Sequence, residues 1–182
     1  MICACASREP VLQSRAMLRV GQLIPAVTAR TADGCTVQAW DFKQKKSLAI
    51  AFLHAECARC EEWMGWLARE AGELAERDAV ALVILPATPL STWAQQAAPL
   101  QGAIVLAADV SGRSQRAFLG GAVTDRHRPA SLGVFVTDRY GELSAQWLTE
   151  SEDGLPSMRD VLTRLGQIQA ACEECGGPQW VE

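Results

Sequence analysis

Hydrophobic residues are grouped along the chain in short continuous runs that alternate with segments of helical spacing. The clearest run is Ser47–Leu53, which is apolar at nearly every position and therefore predicts a strand covered on both faces. Further strands are predicted at Ala79–Leu85, Ala103–Ala107, Leu132–Thr137 and Glu142–Trp147, the last two joined by a turn at Asp138–Gly141.

The segments between these runs repeat their apolar residues every three or four positions. This spacing predicts a strong amphipathic helix over Cys60–Glu76, directly after the first buried strand. Shorter helices are predicted at Pro89–Ala98 and Ser114–Leu119, and a closing helix at Ser157–Ile168.

Two short apolar stretches, Val20–Pro25 and Val27–Arg30, precede the first buried run and lead to Asp33-Gly34. Short strands around an Asp-Gly turn predict a β-hairpin. The whole order of elements predicts an α/β domain, with a central mixed sheet, helices on both faces and an N-terminal hairpin extension.

The domain limits follow from where this pattern begins and ends. We assign residues 17–170 to the folded domain. Residues 1–16 show no period and are predicted to be a flexible tail, and residues 171–182 form a second, irregular tail.

Composition and charge narrow the range of functions. The 182-residue chain carries a net charge of −4 and no long basic run, which argues against a nucleic-acid-binding protein. No apolar run approaches the roughly 20 residues that span a bilayer. The N-terminus lacks the pattern of a secretory signal, so we predict a cytoplasmic protein whose cysteines are kept reduced.

Cysteine is the residue type that points to chemistry. The chain has seven cysteines, an odd number, so they cannot all pair within the chain. Four of them form two C-x-x-C pairs, Cys57 with Cys60 and Cys172 with Cys175. In a reducing compartment such pairs indicate redox or metal-binding groups. Cys35, after the Asp33-Gly34 turn, is expected to be incidental.

The first pair lies between a buried strand and a helix. There Cys57 falls near the helix N-terminus, where unpaired N–H groups and the helix dipole stabilise the nucleophilic thiolate. Cys60, one turn further along, could attack a mixed disulfide on Cys57 and release the product. Half of a zinc site and two inert thiols are alternatives, but the position favours redox chemistry.

The second pair stands in the tail, as Cys172-Glu173-Glu174-Cys175-Gly176. It could belong to a structural zinc site, which needs four ligands. It could also be a resolving dithiol that reduces the first pair, or a disulfide within the tail. Further zinc ligands would have to come from Cys3, Cys5, His127 or the first pair; no other cofactor is predicted.

Several short motifs follow one another over residues 20–148. They are Val20-Gly21 with Pro25, Asp33-Gly34, Ala51-Phe52 before Cys57-x-x-Cys60, Leu106–Asp109 and Val134–Leu143. In this order they resemble the redoxin group of the thioredoxin superfamily, which includes the alkyl hydroperoxide reductase/thiol-specific antioxidant (AhpC/TSA) family. The resemblance implies a thioredoxin-like fold and an oxidoreductase with Cys57 and Cys60 as catalytic residues.

The chain departs from the motifs of this group at several positions. Peroxiredoxins carry Pro, and Thr or Ser, seven and three residues before the peroxidatic cysteine, where this chain has Ile50 and His54. Thioredoxin-like members usually have Trp before the dithiol and Pro within it; here Glu56, Ala58 and Arg59 take those places.

The cis-proline of thioredoxin-like members is also displaced. By spacing, its position is occupied by Leu132, and the nearest proline is Pro129. A loop insertion would be needed to bring Pro129 beside Cys57.

Three functions are compatible with these features. The leading hypothesis is a thiol–disulfide oxidoreductase that acts on protein disulfides and is regenerated by a thioredoxin-type or small-thiol reductant. The enzymatic alternative is a thiol peroxidase that reduces hydroperoxides. The non-enzymatic alternative is a thioredoxin-fold binding protein with a structural zinc at Cys172 and Cys175.

Overall fold

Seven strands form one mixed sheet in the computed structural model of the chain, which describes residues 18–54, 57–86, 102–120 and 131–171. The strands are β1 (Thr28–Thr31), β2 (Thr36–Gln38), β3 (Ser47–Phe52), β4 (Ala79–Pro86), β5 (Ile104–Asp109), β6 (Leu132–Thr137) and β7 (Leu143–Thr149). Their order across the sheet is β2-β1-β5-β4-β3-β6-β7.

Four α-helices of the described residues cover the two faces of this sheet. They are α1 (Ala58–Arg69), α2 (Ala71–Glu76), α3 (Arg113–Leu119) and α4 (Met158–Ala170). Buried side chains of α1, α2 and α4 share one hydrophobic core, and those of α3 belong to a second core on the opposite face. Short 3-10 helices occur at Ala39–Phe42 and Glu152–Gly154.

Strand β3, in the interior of the sheet, is buried along its whole length. It pairs in parallel with β4 and antiparallel with β6, while β4 pairs in parallel with β5. Successive side chains of a strand point to opposite faces. Ala49, Ala51 and Leu53 therefore enter the core beneath α1, and Ile50 and Phe52 enter the opposite core.

Three phenylalanines fill the centre of the second core. Phe52 and Phe135 meet edge to face with ring centroids 6.0 Å apart, and Phe118 of α3 lies 5.1 Å and 4.9 Å from them. Such pairs add about 0.5–1.5 kcal/mol beyond the burial of their area. They attach α3 to the face of the sheet that α1 does not cover.

The N-terminal hairpin joins the sheet at its far side. Gly34 turns the chain between β1 and β2 with a φ of +82°, a conformation that side chains rarely adopt. β1 then pairs antiparallel with β5. The predicted hairpin extension is thus confirmed, as are the mixed sheet and the helices on both of its faces.

The helical segment after β3 differs in detail from its prediction. Helix begins at Ala58 rather than Cys60, and the backbone leaves helical values at Glu70 (φ −97°, ψ 13°), which separates α1 from α2. The predicted helix at Pro89–Ala98 and both predicted tails lie outside the described residues, apart from Ala171. Of the helices described, none has the length and apolar composition needed to cross a membrane.

Candidate redox site

Cys57 and Cys60 form a disulfide at the start of α1. Cys57 is the N-cap residue, with an extended backbone (φ −145°, ψ 107°), and its Sγ accepts a hydrogen bond of 3.1 Å from the N–H of Cys60. Cys57 is 8% exposed and Cys60 is fully buried. Of the two residues, Cys57 is therefore the more accessible to a substrate.

The site lies at the carboxyl end of the parallel strands. β3 ends at Phe52, and the N–H of Leu53 donates to Ile84 O of β4 at 3.1 Å. Both cysteines share the core beneath α1 with Leu132, the first residue of β6. The inner sulfur thus lies in an apolar environment that water does not enter freely.

Arg59, inside the dithiol motif, is held on the surface of α1. Its guanidinium lies 4.6 Å from the ring centroid of half-buried Trp66 and forms an ion pair with Glu62. A cation over an aromatic ring contributes about 0.5–1 kcal/mol at exposed sites. These two contacts direct the Arg59 side chain along the helix.

A distant segment of the chain closes the start of α1. The backbone N–H of Arg59 donates to Oε2 of Glu152 at 3.3 Å. The indole N–H of Trp63 donates to the carbonyl of Pro156 at 3.0 Å, and Trp63 is fully buried. The turn before α4 is therefore attached to α1 at two points.

Glycine is required inside this turn. A Cβ on Gly154 would lie 2.2 Å from Oγ1 and 2.7 Å from Cβ of Thr149. Thr149 is buried, and its hydroxyl donates to Ser151 O at 2.6 Å and accepts from Ser151 N at 3.1 Å. Its side chain cannot move aside without breaking these bonds.

We expect Gly154→Ala to lower the free energy of unfolding by about 1–3 kcal/mol, because it forces a methyl group into a filled space. Gly72→Ala in α2 is the matched control, since its Cβ would meet nothing within 4 Å. There alanine should be neutral or stabilise the helix by up to about 1 kcal/mol. Urea unfolding of both variants measures the difference; equal midpoints would contradict the expectation.

The peroxiredoxin positions noted in the sequence are occupied by side chains unsuited to their usual role. Ile50 is fully buried in the core on the opposite face of the sheet from the dithiol. His54 follows β3 and is partly exposed. Glu56, Pro129, Cys172 and Cys175 lie outside the described residues, so their predicted roles stay predictions.

Cys35 is a free, exposed thiol in the β1–β2 turn. Its side-chain hydrogen bond with Asp33, together with the negative charge of that residue, raises the pKa of Cys35. A raised pKa leaves less of the nucleophilic thiolate at neutral pH. This agrees with the expectation that Cys35 is incidental.

Glu152 is the residue of this site that the sequence did not indicate. It lies 93 positions from Arg59, and no motif or spacing connects the two. In the part of the chain that the structure describes, no three His, Cys, Asp or Glu residues come together as metal ligands would. The described site therefore consists of a dithiol, a helix N-terminus and one carboxylate.

The fold is similar to several solved structures. Peroxidoxin BcpB from Mycobacterium tuberculosis has a TM-score of 0.64 and 18% identity, over 87% of this chain and 100% of that one. A yeast mitochondrial 1-Cys peroxiredoxin has a TM-score of 0.68 and 15% identity, over 91% and 84%. A putative thiol:disulfide interchange protein DsbE from Chlorobium tepidum has a TM-score of 0.60 and 17% identity, over 82% and 99%.

At these identities the structures establish a shared thioredoxin-like fold. No curated protein sequence matches the chain significantly. The family assignment comes from sequence, because the model of the AhpC/TSA family matches residues 20–146, well over half of the chain. The chain thus belongs to the AhpC/TSA family of thiol-dependent oxidoreductases.

Proposed function

We propose that this protein is a thiol–disulfide oxidoreductase with Cys57 as the nucleophile and Cys60 as the resolving thiol. The observation that carries the proposal is the disulfide between an outer cysteine at the N-cap of α1 and a fully buried one a turn further along. When two thiols one helical turn apart close into a disulfide, they give up two electrons. These two electrons can reduce a substrate.

The reaction balances as two exchange steps. The thiolate of Cys57 attacks one sulfur of a substrate disulfide, which forms a mixed disulfide and releases one substrate thiol after it takes up a proton. Cys60 loses its proton and attacks Sγ of Cys57, which releases the second substrate thiol. The substrate is reduced by two electrons, and Cys57–Cys60 becomes oxidised. A thioredoxin-type protein or a small thiol then reduces it again.

The helix N-terminus supports the first step. The N–H of Cys60 already points at Sγ of Cys57 in the disulfide form. In the dithiol form the same donor would stabilise the thiolate, because unpaired N–H groups and the helix dipole favour an anion there. Cys60 is screened from solvent, so a bulky substrate meets Cys57 first.

A hydroperoxide is the second candidate substrate, because the family and the similar folds include peroxiredoxins. Two residues argue against a peroxidase. The proline and hydroxyl side chains typical of a peroxidatic site are replaced by Ile50, buried on the other face of the sheet, and by His54. We therefore place disulfide reduction first.

The test compares the two substrates on one preparation of the full chain. With dithiothreitol as reductant, we expect insulin disulfides to be reduced faster than in the protein-free blank. Hydrogen peroxide and an organic hydroperoxide should be consumed at the rate of a denatured sample. Fast hydroperoxide consumption together with no insulin reduction would replace this proposal by the peroxidase.

The proposal also includes the location of the protein and the role of its second cysteine pair. A cytoplasmic location suits a protein that must keep Cys57 and Cys60 reduced between turnovers. The pair Cys172 and Cys175 lies outside the described residues and stays a predicted relay dithiol, zinc-binding group or disulfide within the tail.

A further inference from the structure

The first turn of α1 offers N–H groups to whatever stands beside it. Two of them have partners in the structure: the N–H of Cys60 donates to Sγ of Cys57, and the N–H of Arg59 donates to Oε2 of Glu152. Both donors would otherwise favour an anion at the helix start. Glu152 thus directs a negative charge at the same helix end that must accommodate the Cys57 thiolate.

The position of Glu152 is determined by the turn that carries it. On one side, the buried side chain of Thr149 packs against Gly154, and Ser131 Oγ donates to Glu150 O at 3.0 Å. On the other side, the carbonyl of Pro156 accepts the indole N–H of Trp63. The carboxylate therefore reaches α1 from an anchored segment.

The other charged residues near the dithiol do not make a contact like that between Glu152 and the N–H of Arg59. Arg59 is paired with Glu62 through its side chain, and Glu61 is exposed. The charged or titratable side chains on the described segments that flank the dithiol are His54 after β3, Arg59, Glu61 and Glu62 in the first half of α1, Glu152 and Asp153 in the turn, and Arg159 and Asp160 in the first turn of α4. Among these, Glu152 is the carboxylate that hydrogen-bonds a backbone N–H inside the dithiol motif.

We propose that Glu152 is a positioning residue that holds the N-terminus of α1 and limits ionisation of Cys57, which makes the Cys57–Cys60 disulfide a weaker oxidant. This inference rests on the proposed role of Cys57 as the nucleophile. A nearby negative charge disfavours the thiolate. Because a stabilised thiolate is what makes a dithiol couple strongly oxidising, its destabilisation favours a reductase.

Glu152→Gln tests the charge while it keeps the contact. The glutamine carbonyl can still accept from the N–H of Arg59, so α1 stays attached to the turn. We expect the pKa of Cys57 to fall by about one unit. At a pH well below the pKa of Cys57 in both proteins, the thiolate fraction of the variant should be about tenfold higher than that of the wild type, and the thiolate should be about threefold less nucleophilic. Exchange with a small disulfide should therefore become about threefold faster.

The pKa is read from the pH dependence of iodoacetamide alkylation of the reduced full chain, with the peptide that contains Cys57 quantified by mass spectrometry. Asp153→Asn is the matched control, because it removes a charge from the same turn at a side chain with no described bond to α1. Its pKa shift should be clearly smaller. Glu152→Asp, which keeps the charge, should stay close to the wild type.

A second measurement follows the couple itself. Equilibrated with glutathione, the Cys57–Cys60 disulfide of Glu152→Gln should be reduced more readily than that of the wild type. The proposal is overturned by an unchanged or raised pKa in Glu152→Gln, or by an equal fall in Asp153→Asn. Alkylation needs no substrate, so these outcomes are independent of whether the protein reduces insulin.

Discussion

Replacing Cys57 by serine is expected to reduce disulfide reductase activity to the rate of the protein-free reaction. The sulfur that attacks the substrate is lost, and a serine hydroxyl does not perform thiol–disulfide exchange at neutral pH. Serine is also one of the preferred N-cap residues, so α1 keeps its cap and the fold should be preserved. The loss would then report chemistry rather than unfolding, which near-wild-type circular dichroism would verify.

Removal of the inner thiol should give a different result. Cys60 is fully buried, so alanine is the better replacement, since serine would place a hydroxyl in an apolar core at a cost of about 1–3 kcal/mol. Cys60→Ala should still attack a disulfide through Cys57 but should stop at the mixed disulfide. Mass spectrometry would detect this adduct, and it should be absent from the Cys57→Ser protein.

Cys35→Ser is the control for thiol chemistry in general. Cys35 is exposed and free, but it lies in the hairpin turn and not at the dithiol. Its loss should leave insulin reduction unchanged. If Cys57→Ser retained activity while Cys35→Ser lost it, the assignment of the nucleophile would be wrong.

The second large effect concerns stability. Trp63→Ala is expected to lower the free energy of unfolding by about 3–5 kcal/mol, because it leaves a cavity in place of the largest fully buried side chain among the described residues of the core beneath α1. Single domains are stable by only about 5–15 kcal/mol, so the variant would approach instability at room temperature. Guanidinium unfolding followed by circular dichroism measures the change.

Two companions separate volume from hydrogen bonding. Trp63→Phe keeps most of the packing but leaves the Pro156 carbonyl without its indole donor, which should cost about 1–3 kcal/mol. Trp40→Ala, at a tryptophan that is 39% exposed, should cost no more than about 1–2 kcal/mol. A Trp63→Ala protein as stable as Trp40→Ala would show that the core beneath α1 does not depend on Trp63.

Most of the sheet could be predicted because the apolar pattern within a short segment indicates whether a strand is buried. Ser47–Leu53 is apolar throughout, and the structure buries every residue of β3 between two cores. The Asp33-Gly34 dipeptide likewise requires a turn, and Gly34 adopts a positive φ there. Each of these features depends on residues close together in the chain.

Features that depend on distant residues were not predicted. The interruption at Glu70 separates two helices that share one apolar period, so the period alone could not reveal it. The side of the sheet on which Ile50 lies decides whether it can take part in the dithiol site, and only the assembled sheet shows that it faces away.

The sequence by itself determined that a dithiol follows a buried strand and begins a helix, because apolar runs, helical spacing and the cysteines are all local. It thereby determined that Cys57 lies near the helix N-terminus and Cys60 one turn further along. Only the tertiary structure decided what else meets that helix. Glu152 and Pro156 each contact a residue of α1 that lies 93 positions earlier in the chain. A contact between such distant segments depends on the path of the whole chain.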